Sequence, residues 1–399
     1  MESVFIYRQL EPAAPKEGHL QGLRIAIQPT ISVAGWPTDA GSNALVNFTA
    51  LEDATVVQRL RQAGAFLSGS TRVSEFGFGL RDSKAGEALR QQTVDAEVVI
   101  DLMGESRLAA SRVAACGFKP SYGLVSRFGL VGLIPSMESC GLLSGSVKNI
   151  RSILKAIAGP DGLDFSLPDE EVPDFLSQEV DPRQTAIGVL AEARDALPAE
   201  QQQAFRASLD ELKEAGFSLR EVSMPDFPLF STVHRIVGSV EASSCAGRYD
   251  SVRYGRRAPG ARNWNDMYLL SRAAAFGPLL KSYLFQGAFF QFERYDAYEN
   301  ACRIRGRLVA EMKRLTSQVD CLVLPAVGCA PSATTVSLAD TYAQFYVTAF
   351  ANVTGQPALY LPPPSDGGRV GFQMAGPRLS DARLLALGEC VLRVRQGGR

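Results

Sequence analysis

The chain has 399 residues, of which 46% are hydrophobic and 21% charged, with a formal net charge of −1. That length can bury a large α/β core in one domain or two, and the composition is that of a soluble globular protein. The near-neutral balance gives no electrostatic footing for nucleic acid or a charged membrane. No run is long and apolar enough to span a bilayer, and the opening MESVFIYRQL lacks a basic-then-apolar signal pattern, so a cytoplasmic location is expected.

Along the chain, LRIAIQ has the composition of a buried strand and is followed by Gly, Pro, Thr and Ser through Ser42. Asp53 is placed to cap a helix whose apolar positions Val56, Val57, Leu60 and Ala63 recur at helical spacing before Gly64. FLSG and VVID then read as short strands, and this alternation favours an α/β core with much parallel pairing. SVKNIRSILKAIAG starts on Ser146, presents Ile150, Ile153, Leu154 and Ile157 on one face, and stops at Gly159. An acidic, proline-rich stretch near 160–183 reads as a surface connection. TAIGVLA, PAEQQQAFRASLDELKEAG and FSLREVSM then form a βαβ unit.

Farther on, RYDAYENACRIRGRLVAEMKRL is a long helix with Tyr298, Cys302, Arg305, Leu308 and Met312 as its expected inward stripe. Arg305 on that line is either a cation whose stem lies along apolar surface or one that holds a ligand carboxylate. DCLVLPAV gives a strand ending at Pro325, and TGQPALYLP, VGFQMAG and SDARLLALGECVLRV complete the fold.

Seven cysteines lie at 116, 140, 245, 302, 321, 329 and 390 without a CxxC pair, which fits reduced and mostly buried thiols. Two histidines, His19 and His234, leave no material for a histidine-rich metal site. His19 is expected to be exposed, and His234 to be an ordinary half-buried histidine. No cofactor or metal is expected.

The segment VVIDLMGESRLAASRVAACGFKPSYG, from Val98 to Gly123, is a strand, a sharp glycine-bearing turn and a small-residue stretch that closes on Lys119-Pro120. Together with VAGWPTDAGS (33–42), DATVVQRLRQAGAFLSG (53–69), SEFGFG (74–79), EASSCAGRYDSVRYG (241–255), YDAYENACRIR (295–305) and TGQPALYLP (354–362), the order of segments resembles the amidase signature family, in particular its amidotransferase members. The resemblance implies one large α/β domain over residues 1–399, with a central mixed, mostly parallel sheet flanked by helices.

It also implies a Ser-cisSer-Lys triad, with the nucleophilic serine in a D-T-G-G-S-I-R segment. Aligned on Asp101, this chain has Leu102, Met103, Gly104 and Glu105 where the family has Thr, Gly, Gly and Ser. Asp101 and Arg107 match, and Ser106 stands one position late. Gln28 falls at the lysine position, no G-G-S-S-G-G-S loop lies between Gly79 and Asp101, and the N-terminal stretch is shorter than the family's.

The alignment leads to the expectation that standard amide hydrolysis is absent. The chain then acts as a ligand-binding, scaffolding or regulatory subunit beside an active amidase or another pathway enzyme. A second reading makes Glu105 a general acid or base of a lyase, isomerase or cyclisation reaction on an amino-acid-like or amide-like ligand, with Lys84 as its partner. A third is residual amidase activity from Cys116 or Ser106. Arg305, Asp101, Gly104, Arg107 and Arg248 are the expected ligand-binding residues. Partners are a protein or such a small ligand, not nucleic acid or membrane, and a homo-oligomer is compatible with the sequence.

Overall fold

Successive residues of a β-strand point to opposite faces, and in this chain both faces are apolar, so one sheet separates two cores. The computed structural model describes residues 3–9, 17–326, 337–364 and 369–395; Cys329 lies outside them. The strands are β1 (Phe5–Arg8), β2 (Arg24–Ile27), β3 (Phe66–Thr71), β4 (Ala96–Asp101), β5 (Cys116–Lys119), β6 (Ser139–Ser144), β7 (Ala186–Leu190), β8 (Ser218–Val222), β9 (Cys321–Pro325), β10 (Ala358–Leu361) and β11 (Phe372–Ala375). They form one sheet in the order β1-β3-β2-β4-β6-β5-β10-β11-β9-β7-β8.

The helices are α1 (Thr55–Gln62), α2 (Glu87–Arg90), α3 (Glu105–Arg112), α4 (Val147–Ile157), α5 (Ala191–Asp195), α6 (Ala199–Glu214) and α7 (Leu229–Ala246). They continue with α8 (Trp264–Ala275), α9 (Pro278–Phe292), α10 (Tyr295–Thr316), α11 (Leu338–Gln344), α12 (Phe350–Thr354) and α13 (Asp381–Arg395). In β9, Cys321 and Val323 join the core under α1, α4, α6 and α13, whereas Leu322 and Leu324 join the core under α3, α7, α9, α10 and α12. β10 alternates in the same way, with Leu359 and Leu361 on the first side and Ala358 and Tyr360 on the second. Among the described residues no helix is long and apolar enough to cross a membrane.

Three expectations are corrected. The sheet is mixed but not mostly parallel: only β2–β3, β2–β4, β7–β8 and β7–β9 run parallel, and the middle of the sheet from β4 to β9 is antiparallel. Asp53 does not cap α1; Ala54 is the cap residue, and the Asp53 carboxylate accepts from the Ala34 N–H at 2.7 Å and pairs with Arg61. On α10 the buried line runs through Ala301, Leu308, Met312 and Leu315, leaving Cys302 exposed. The βαβ unit β7–α6–β8 stands as expected, with β7 and β8 parallel. So does α4, whose Ser146 side chain accepts from the Lys148 N–H.

α3 reaches the sheet because two glycines give it room. A Cβ on Gly117 would lie 2.5 Å from the Ser106 carbonyl oxygen and 2.7 Å from the Ala110 Cβ, and one on Gly141 would lie 2.6 Å from the Ser106 Cβ. Gly117→Ala is therefore expected to cost about 1–3 kcal/mol in urea unfolding through forced displacement of α3. Gly145→Ala, at an exposed glycine with open space around it, should stay within about 0.5 kcal/mol. Equal unfolding midpoints for the two variants would contradict this packing.

Candidate functional site

β4 ends at Asp101, a three-residue turn follows, and α3 begins at Glu105. Gly104 sits at φ +122°, and a Cβ there would lie 2.4 Å from the Thr348 side chain, so the turn requires glycine. The fully buried Asp101 carboxylate holds the turn from within. One oxygen accepts from the Gly104 N–H at 2.9 Å, and the other accepts from the Ser106 N–H at 3.1 Å and from the Ser106 hydroxyl. The Asn352 amide donates to Asp101 Oδ1 (2.9 Å), the Asp101 carbonyl (3.1 Å) and the Met137 carbonyl (3.1 Å), tying the turn to α12 and to the segment before β6.

Glu105 folds back over the turn that precedes it. Its Oε2 accepts from the N–H groups of Leu102 (2.8 Å), Met103 (2.8 Å) and Gly104 (3.2 Å), and Oε1 accepts from Gly79 (3.2 Å). Successive backbone amides that converge on one point form a nest for an anionic oxygen. The residue is 3% exposed. Burial, and then the Asp101 charge, raise its pKa to about 8, against the pull of the backbone amides.

Beneath the turn Arg107 is fully buried and donates to the Thr348 carbonyl (3.0 Å), Gln373 Oε1 (2.9 Å) and Asn352 Oδ1 (3.0 Å), and it lies 3.8 Å from Asp101. Lys119, also buried, donates to the Pro120 carbonyl at 2.7 Å, and burial lowers its pKa to about 7. His234 is fully buried rather than half-buried. Its Nε2 lies 2.9 Å from the Leu102 carbonyl, which can only accept, so this nitrogen carries the proton. Nδ1 lies 3.0 Å from the Tyr342 hydroxyl, which is itself 3.0 Å from the Tyr283 hydroxyl, and burial pushes the imidazole down to about 4.

The fold thus brings Asp101, Gly104, Glu105 and Arg107 together and adds Asn352, Thr348, Gln373, Lys119 and His234, which the sequence does not single out for the site. Gln28 is buried beside β4, accepting from the Ile100 N–H at 3.1 Å. The four hydrogen bonds described for Glu105 come from backbone amides, not from Lys84, which is half-buried before α2. Arg305 is committed to the protein itself, donating to the Val353 carbonyl (3.0 Å), Ser136 Oγ (2.7 Å) and the Ser136 carbonyl (2.8 Å). Arg248 is exposed and donates to the Cys245 carbonyl, while Asp250 accepts from the Val252 and Arg253 N–H groups. Cys116 is buried, and burial raises its thiol to about 12, which makes it a packing residue rather than a nucleophile.

A carboxyl raised from 4.5 to about 8 contributes stability that is fully present below the unfolded value and is lost as pH rises through the folded one. Glu105→Gln removes this titration. In paired thermal melts the variant should gain on the wild type between pH 5 and pH 8; a constant difference across that range would refute the raised value.

A family model described as Amidase matches residues 6–87 and 103–385. The A chain of the glutamyl-tRNA(Gln) amidotransferase of Lactobacillus johnsonii is 31% identical over 405 residues, covering 94% of this chain and 84% of the relative. The crystal structure of its counterpart from Thermotoga maritima is similar at a TM-score of 0.81 and 22% identity, over 98% of this chain and 87% of that one. 6-aminohexanoate cyclic dimer hydrolase is similar at a TM-score of 0.80 and 19% identity, over 98% and 89% of the two chains; at such identities these structures speak for the fold. The expectation of a protein without amidase activity is overturned by these findings, and with it the scaffolding reading and the lyase, isomerase or cyclisation alternative. Relatives that match along nearly the whole chain carry amidotransferase names. The chain belongs to the amidase family.

Proposed function

We propose that the chain acts on an amide, as its family does, but with Glu105 in place of a serine nucleophile and with the turn between β4 and α3 as the place where the amide carbonyl is held. One observation supports this above the others: three consecutive backbone N–H groups, of Leu102, Met103 and Gly104, converge on a single carboxyl oxygen. Donors arranged in this way stabilise the oxygen that gathers negative charge when a carbonyl is attacked. In the resting arrangement that oxygen belongs to Glu105. An amide takes its place once the Glu105 side chain turns out and the Phe78–Gly79 segment shifts.

Glu105 then takes a proton from a water molecule as the water oxygen bonds to the carbonyl carbon. When the C–N bond breaks, it returns the proton to the departing nitrogen. One amide and one water give one carboxylic acid and one ammonia or amine, with Glu105 regenerated. A carboxylate beside the bound carbonyl can accept a proton as general base and return it as general acid. The relative is named as one component of an amidotransferase, which supports an assembly with other proteins that receive the nitrogen.

The test is ammonia release from glutamine, asparagine and propionamide by the purified protein, together with any partner that co-purifies. Release by the wild type and a loss of about 100-fold or more in Glu105→Gln are expected, as for removal of a general base. No release from folded wild-type protein, or equal release by the variant, would overturn the reading.

A further inference from the structure

We propose that the groove between α7, α9 and α11 is a binding site for a small carboxylate with an aromatic or apolar body, its carboxylate held by Arg235. The groove has a volume of about 460 Å³, within the range of small-molecule sites. Arg235 is the only charged side chain among its described lining residues. The Arg235 Nε donates to Gln286 Oε1 at 2.9 Å, and the Gln286 amide returns a bond to the Arg235 carbonyl at 3.3 Å, so the guanidinium plane is fixed before any ligand arrives. Its terminal nitrogens hold no hydrogen bond among the described residues, which leaves parallel donors for the two oxygens of a carboxylate.

The rest of the lining supplies the other half of such a ligand. Phe290 and Tyr346 give aromatic lining, Tyr342 lies under the guanidinium with its ring centre 6.0 Å away, and Ser231 is also part of the lining. A single oriented cation in a groove lined otherwise by apolar, aromatic and uncharged polar side chains offers a partner to a carboxylate and apolar contact to the body that carries it. The site is separate from the turn at Glu105 and does not rest on the reading of that turn. The two are one layer apart: the Tyr342 hydroxyl reaches His234, whose other nitrogen holds the Leu102 carbonyl.

Calorimetric titration with phenylacetate, and with phenylacetamide as its uncharged counterpart, tests the site on the full-length protein. Phenylacetate should saturate, phenylacetamide should bind at least about tenfold more weakly, and Arg235→Gln should weaken phenylacetate about tenfold or more. Arg235→Lys, which keeps the charge but not the fork, should weaken it several-fold. It decides the matter if the glutamine variant melts at a lower temperature than the wild type. Glu105→Gln should leave phenylacetate binding unchanged. Absence of saturation, equal affinity for the acid and the amide, or unchanged affinity in both Arg235 variants would each overturn the assignment, and dependence on Glu105 would place the ligand at the turn instead.

Discussion

The buried carboxylate of Asp101 is the constraint on which the site depends. It is fully enclosed, so its charge must be met by donors, and those donors are the Gly104 N–H, the Ser106 N–H and hydroxyl, and the Asn352 amide. Meeting them fixes the path of the turn, starts α3 at Glu105, and draws α12 against the end of β4. The same path aims the amides of Leu102, Met103 and Gly104 at one point. Whatever oxygen occupies that point is chosen by the residue that follows, and here it is a carboxyl rather than a hydroxyl.

Asp101, Glu105, Arg107, Lys119 and His234 are all buried within this small region, and they do not all carry a charge on equal terms. Arg107 has three hydrogen-bonded oxygens besides its proximity to Asp101, although its Nε has no partner among the described residues. Burial lowers the pKa of Arg107 and of Lys119 and raises that of Glu105. A group near its own pKa at neutral pH escapes part of the cost of a buried ion by taking up or releasing a proton.

Local pattern makes much of this fold legible. The short apolar runs of the strands, the capped helix from Ser146 and the β7–α6–β8 unit follow from local composition and spacing, because each marks residues that must leave water. Strand direction does not follow, since an apolar run says that a strand is buried but not which neighbour it meets; the antiparallel centre of the sheet is therefore hidden from the sequence. On α10 a small buried residue, Ala301, carries less signal than Cys302 beside it, so the expected stripe holds at Leu308 and Met312 but misses Ala301. At the site the turn is legible through the family resemblance, and the family match itself is interrupted between residues 87 and 103. Asn352, Thr348 and Gln373 are not, because they come from distant parts of the chain and have no spacing to betray them. The position of the Glu105 side chain is equally hidden, since sequence gives the residue but not its rotamer. Reading a lost serine as lost function goes too far, because backbone amides can hold an oxygen whatever side chain follows them.

The account turns on whether an amide can enter the nest that Glu105 fills. A crystal structure of the protein with propionamide bound tests this most directly. The account predicts the amide oxygen within hydrogen-bonding distance of the Met103 and Gly104 N–H groups, with the Glu105 carboxyl turned out toward the carbonyl carbon. An amide bound elsewhere, with Glu105 still seated on the three backbone amides, would contradict it.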